Sequence, residues 1–194
     1  MRLVAITGGI GSGKSVVSRV LQVMGYQIYD CDSRAKALMV NDATVRQQLV
    51  QAFGEETYLP DGSLNRQHLS SVAFADSTAL ARLNAIVHPA TANDMMRWAQ
   101  QQAESGATLA FAETALLRTA GLDRIVDCVW HVTAPTEVRV ARVMARSGLT
   151  EQQVLDRMTA QAEEDRIADG EYAIINDNVS PLLPRIIELL DTIK

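Results

Sequence analysis

Residues Gly8 to Ser15 read Gly-Gly-Ile-Gly-Ser-Gly-Lys-Ser, a complete G-x-x-x-x-G-K-S pattern, and nothing else in the chain constrains its fold so tightly. The pattern demands a strand, a tight glycine turn and a helix that starts at the lysine. Across Gly8, Gly9, Gly11, Ser12 and Gly13 the backbone can wrap so that successive N–H groups point inward and form an anion nest. Lys14 then reaches a β- or γ-phosphate as a point charge, and the Ser15 hydroxyl can ligate the Mg²⁺ that accompanies a nucleoside triphosphate.

The flanks agree with the motif. Arg2 to Thr7 is a short apolar run of strand formers, and Val16 to Met24 has apolar residues at helical spacing before Gly25, a natural helix terminator. Strand, loop and helix start together aim the positive end of a helix at the phosphates.

Further along, Tyr26–Tyr29 reads as a second strand and a helix is expected to begin near Ser33. No strand is evident from there to Ser105. Val45–Phe53 and Asn65–Phe74 read as helices separated by the turn Pro60-Asp61-Gly62, and Thr78–Ala103 as a longer helix that Pro89 should kink or restart near His88. These residues form a helical insertion too long for a plain crossover. Strands resume at Ala107–Ala112 and Val126–Thr133. Pro135 should open a helix to Arg146, Ser147-Gly148 should end it, and Thr150-x-x-Gln153 is a capping box for the next. Tyr172–Ile175 is the fifth strand, and Ser180-Pro181 precedes a final helix. The alternation predicts an α/β fold, a five-stranded parallel sheet flanked by helices.

Composition narrows the function classes. The 194 residues carry 18 basic and 23 acidic side chains, a net charge of −5, which argues against general nucleic-acid binding. No apolar stretch approaches the roughly 20 residues that span a bilayer, no secretory leader precedes the first strand, and Cys31 and Cys128 form no C-x-x-C, so a cytoplasmic protein is expected.

Several residues could carry chemistry. Asp30 and Asp32 follow the second strand at its carboxyl end, where parallel sheets bind ligands. One could accept a proton from an attacking hydroxyl and the other hold Mg²⁺ through water, whereas the structural alternative makes Asp32 a helix N-cap. Arg139, Arg142 and Arg146 share one helix stripe without a helical carboxylate partner. They call for a triphosphate, unless they are solvated or pair with another element. Glu113 ends the third strand, at the edge where a metal shell could form, unless it is merely an acid at a strand end. Arg66 and His88 lie in the insertion, where either could contact an acceptor, although packing or capping accounts for a lone His beside Pro.

A cradle, a metal ligand, a base and arginines are the parts that phosphoryl transfer requires. A regulatory GTPase would add Asp-x-x-Gly and Asn-Lys-x-Asp, which are missing. A shikimate-kinase-type enzyme would add a glycine-rich acceptor motif after the third strand, which is missing too. A plain ATP-binding protein or ATPase would need no acceptor pocket.

The sequence from Thr7 to Ser15, followed by Asp30-Cys-Asp32, Gly62-Ser-Leu-Asn-Arg66, Leu83-Asn-Ala-Ile-Val-His-Pro89, the Pro135…Arg142…Arg146 helix, Gln161 and Ile174-Ile-Asn176, resembles dephospho-CoA kinase over nearly its full length. The resemblance implies transfer of a phosphoryl group from ATP to the ribose 3′-hydroxyl of dephospho-CoA. It implies Asp32 as catalytic base with Lys14 and Arg142 in support, ATP contacts from Gly11 to Val16 and from Arg142 and Arg146, and acceptor contacts in the insertion. The domains it implies are a nucleotide-binding core over 1–32, 106–146 and 170–194, a helical acceptor domain over 33–105 and a lid over 147–169. The expected partners are ATP and dephospho-CoA, with neither nucleic acid nor membrane, in a monomer or weak homo-oligomer. The chain departs from the family's Asp-x-Pro-Leu-Leu-Phe-Glu, reading Glu113-Thr-Ala-Leu-Leu-Arg-Thr119. Glu171-Tyr172 replaces an Ala-Asp pair, and Asn178 a glycine.

Overall fold

A computed structural model describes residues 1–73 and 77–193. Five strands, β1 (Arg2–Thr7), β2 (Ile28–Asp30), β3 (Leu109–Glu113), β4 (Cys128–Thr133) and β5 (Tyr172–Ile175), form one all-parallel sheet in the order β2-β3-β1-β4-β5. The central strand β1 is buried at five successive residues, because helices cover both of its faces and no position alternates to solvent.

Two helices line this core. α1 (Lys14–Val23) buries Val17 and Leu21, and α9 (Leu182–Ile193) buries Ile186, Leu189, Leu190 and Ile193 at helical spacing. They pack with Val4, Ile6, Phe111, Trp130 and Val132 of the sheet. Phe111 organises the aromatic part, standing 5.4 Å from Tyr26 edge-on and 5.2 Å from Trp130. Gly25, just past α1, has φ +94°, the left-handed conformation of a helix terminator.

Contacts divide the chain into two compact units, Met1–Asp30 with Ala99–Lys194, and Cys31–Trp98. The second is helical: α2 (Cys31–Asn41), α3 (Ala43–Phe53), a 3-10 turn (Glu55–Thr57), α4 (Arg66–Ala73) and most of α5 (Ser77–Glu104). Val45, Leu49, Phe53, Leu69 and Ala79 form its core. Asp42 caps α3 by accepting from the Val45 amide at 3.0 Å. Arg46 stacks on Tyr58 at 3.9 Å and donates to the Gly62 carbonyl at 2.9 Å, which fixes the Pro60-Asp61-Gly62 turn.

The structure corrects several local expectations. Pro89 does not restart α5, which runs unbroken from Ser77 to Glu104. Val87, Thr91, Met95 and Ala99 form a buried stripe four residues apart, and burial along that face outweighs one missing hydrogen bond. The Thr91 hydroxyl also donates to the Val87 carbonyl at 2.8 Å, one turn back. Pro135 precedes the first residue of α6 (Thr136–Ser147) instead of occupying it. β2 starts two residues late, at Ile28, and α2 two residues early, at Cys31, so that Asp32 lies inside the first helical turn and is not the residue before it. Phe74 lies outside the described residues.

The capping box behaves as read. Thr150 Oγ1 accepts from the Gln153 amide while Gln153 Oε1 accepts from the Thr150 amide, opening α7 (Glu151–Ala160). A further single turn, α8 (Ala162–Asp165), was not anticipated.

Candidate active site

The glycine loop leaves β1 at Thr7 and enters α1 at Lys14. Gly13, with φ +93°, makes the turn, and the helix start has neither a side-chain cap nor an acid in its first turn. Its positive end is therefore left for an anion. The loop is also pressed against its surroundings. A methyl group on Gly9 would fall 1.8 Å from Asp165 Oδ1, and one on Gly13 would fall 2.0 Å from Asn176 Nδ2. Lys14 folds across the loop, its Nζ donating to the Gly8 carbonyl at 2.6 Å. Ser15 and Val16 are exposed at the start of α1.

Four side chains grip this backbone. Gln161 Oε1 accepts from the Ile10 amide at 3.0 Å. Arg139 donates from Nε to the Ile10 carbonyl at 2.9 Å and from its terminal nitrogen to Asp165 at 2.9 Å. Asn176 Nδ2 donates to the Ser12 carbonyl at 3.0 Å. Arg142 donates to the Gly11 carbonyl at 3.3 Å, to Asn176 Oδ1 at 3.3 Å and to Asn178 Oδ1.

The arginine stripe thus splits three ways. Arg139 is 7% exposed and ion-paired, so it is a buttress of the loop and not an anion seeker. Arg142 lies half-buried against the loop rim, and Arg146 is exposed. Sequence reasoning missed the partners. Asp165 sits in an acidic turn that offers no pattern. Gln161 and Asn176 stood in the matching blocks without an assigned contact. Asn178 is the one non-glycine with positive φ among the described residues, at 69°, and asparagine tolerates that conformation best of the polar residues.

Asp30 and Glu113 stand side by side in register at the carboxyl edge of the sheet, and Glu113 is paired in turn with Ile6 of β1, two residues before the loop. Asp30 is exposed and Glu113 half-buried. The other predicted residues belong to the helical unit. Asp32 is exposed in the first turn of α2, Arg66 is exposed at the first residue of α4, and His88 is half-buried on α5.

Beside the loop lies a buried polar layer. His131, in register with Thr7, is 1% exposed, and burial pushes its pKa below the ordinary value of 6.5 despite Glu171 nearby. Its Nδ1 is 3.3 Å from Glu171 Oε2, close enough to pair by distance but without hydrogen-bond alignment. Glu171 also forms an ion pair with Arg118, and the buried Glu164 accepts from the Arg118 and Thr119 amides at 3.1 and 2.8 Å. Two departures from the family pattern, Arg118 and Glu171, are therefore each other's partners. Another departure, Asn178, accepts a hydrogen bond from Arg142.

The family model described as CoaE: Dephospho-CoA kinase matches residues 2–181. A dephospho-CoA kinase of Geobacter sulfurreducens is 40% identical over 189 residues, which cover 97% of this chain and 96% of that protein. A crystal structure from Thermus thermophilus superposes with a TM-score of 0.77 at 32% identity, covering 98% of this chain and 95% of that one. A dephospho-CoA kinase from Campylobacter jejuni shares the fold with a TM-score of 0.73 at 19% identity, covering 100% and 98%.

Proposed function

The chain belongs to the dephospho-CoA kinase family, and from that premise we propose that it transfers the γ-phosphoryl group of ATP to the ribose 3′-hydroxyl of dephospho-CoA, giving coenzyme A and ADP. The observation that carries the nucleotide half is the uncapped start of α1 beneath a loop clamped by Arg139, Gln161 and Asn176. Preorganised amides stabilise developing charge without moving during the reaction, which is where most of the catalytic gain in phosphoryl transfer arises.

Ligand fit is legible in the loop itself. Among the described residues, the buried Ser12 hydroxyl has no hydrogen-bond partner, a state that costs about 1–3 kcal/mol until a polar ligand or water relieves it. The Ser15 hydroxyl is exposed and uncommitted among those residues, which suits Mg²⁺. No group of three or more His, Cys, Asp or Glu side chains among the described residues could hold a metal by itself, so phosphate oxygens and water would supply most of its ligands. When bound, Mg²⁺ neutralises charge on the β- and γ-phosphates.

In this reading Lys14 leaves the Gly8 carbonyl for phosphate oxygens. Asp32 orients the acceptor hydroxyl and takes its proton. Arg142 exchanges its loop and asparagine partners for the nucleotide, with Arg146 beside it on α6, and the segment 147–169 closes as a lid. The helical unit holds the acceptor, with Arg66 and His88 among its contacts. Asp30 and Glu113, at the carboxyl edge of the sheet, are further acceptor contacts in this reading. Neither Cys31 nor Cys128 is in a disulfide, in keeping with a reducing cytoplasm, and no helix among the described residues is long and apolar enough to cross a membrane. The working unit in this reading is a monomer or a weak homo-oligomer.

ADP release measured with Mg·ATP against dephospho-CoA, shikimate, nucleoside monophosphates and no acceptor tests the proposal. Turnover should require dephospho-CoA. Equal release without an acceptor would make the protein an ATPase, and preference for shikimate would move it to the rival kinase class.

A further inference from the structure

The helical unit contains a cavity of about 210 Å³, and Arg66, one of the acceptor contacts named above, stands on its wall. Its walls follow from helical spacing. α4 contributes Arg66, Leu69, Ser70 and Ala73, which are i, i+3, i+4 and i+7 on one face. α2 contributes Lys36, Met39 and Val40, again i, i+3 and i+4. The lining is aliphatic, with no aromatic ring on which a base could stack. Its two cations, Lys36 and Arg66, are exposed residues, and among the described residues no carboxylate pairs with either. Long basic side chains lay their stems on apolar walls and keep their charge in water.

We propose that this cavity seats the pantetheine arm of the acceptor, with Lys36 and Arg66 on the adjoining pyrophosphate. The assignment rests on the acceptor being dephospho-CoA. That molecule has three chemically distinct parts: a polar, planar adenosine, a dianionic pyrophosphate, and a flexible arm of methylenes, a gem-dimethyl carbon and two amides. Only the arm matches an aliphatic cavity, and only the pyrophosphate beside it matches two uncommitted cations at the same site. The volume is below the usual range for a whole drug-sized ligand and suits one limb of a larger one. The subsite gives the enzyme a way to reject nucleotides that lack the arm.

Three variants test the subsite. Ser70 is exposed on the cavity wall, so Ser70→Trp plugs the space from the solvent side, whereas Lys36→Ala and Arg66→Ala remove the charges. Ser70→Trp should raise KM for dephospho-CoA on the order of 10-fold or more. It should leave KM for ATP, the melting temperature and the inhibition constant of adenosine monophosphate, an armless competitor, within about twofold. Lys36→Ala and Arg66→Ala should weaken dephospho-CoA and adenosine monophosphate together. Unchanged KM for dephospho-CoA in Ser70→Trp, or an equal loss for the armless competitor, would overturn the arm assignment. Should Ser70→Trp fail to fold, an unchanged KM in both charge variants would overturn it alone. Absence of turnover by the unsubstituted protein would instead remove the acceptor reading, and the subsite with it.

Discussion

Arg139 and Arg142 lie three residues apart on one helix, yet they do different work. Arg139 is buried between the Ile10 carbonyl and Asp165, whereas Arg142 touches the loop rim through a long contact to Gly11 and is otherwise held by Asn176 and Asn178. Asp165→Ala leaves the Arg139 guanidinium uncompensated in an 8% exposed side chain and should destabilise the fold by about 3–5 kcal/mol, read from chemical denaturation. Denaturation curves that superpose on those of the unsubstituted protein would return Arg139 to the role of a ligand. Asp32→Asn should lower kcat by about 10²–10⁴-fold while ATP affinity, measured by calorimetry, stays put. Near-normal kcat would reduce Asp32 to an acid stabilising the first turn of α2. The stripe was legible in the sequence because spacing alone defines it. Its division was not, because the deciding partner, Asp165, comes 26 residues later on an unanticipated turn.

Elements whose boundaries depend on local chemistry could be read directly from the chain. β5 runs from Tyr172 to Ile175 as expected, and the capping box opens α7 at Glu151. Thr150→Ala should cost about 0.5–2 kcal/mol in thermal unfolding, and a smaller loss would mean that packing of Val154 alone holds the helix. Elements decided by tertiary burial were not legible. α5 passes through Pro89 because its Val87, Thr91, Met95 and Ala99 stripe is buried, and periodicity around a proline does not reveal what covers that face. α2 begins directly after β2: Asp30 is of a helix-capping type but is also the last residue of the strand, and pattern alone does not choose between it and Asp32 as the start.

For the molecule as a whole, the parallel sheet and the glycine loop were accessible from alternation and motif, since strands separated by helices run parallel, whereas the order β2-β3-β1-β4-β5 was not, because alternation fixes direction and not neighbours. The polar layer that supports the loop was not, because ion pairs such as Arg118–Glu171 join residues 53 apart. That layer gives the protein a pH signature. Burial lowers the folded-state pKa of His131, so the unfolded chain binds the extra proton first. Stability is full above the ordinary pKa of 6.5 and declines as pH falls from there through the lower folded value. His131→Asn should flatten that decline in denaturation measured from pH 7 to 5, and an equally steep curve would assign it to other groups. The central claim is that the clamped loop delivers a phosphoryl group to the acceptor's ribose. Phosphorus NMR of the product tests it most directly. A new phosphomonoester coupled to the ribose 3′ proton, in step with ADP formation, is the predicted result. ADP and free phosphate beside unaltered dephospho-CoA would contradict it.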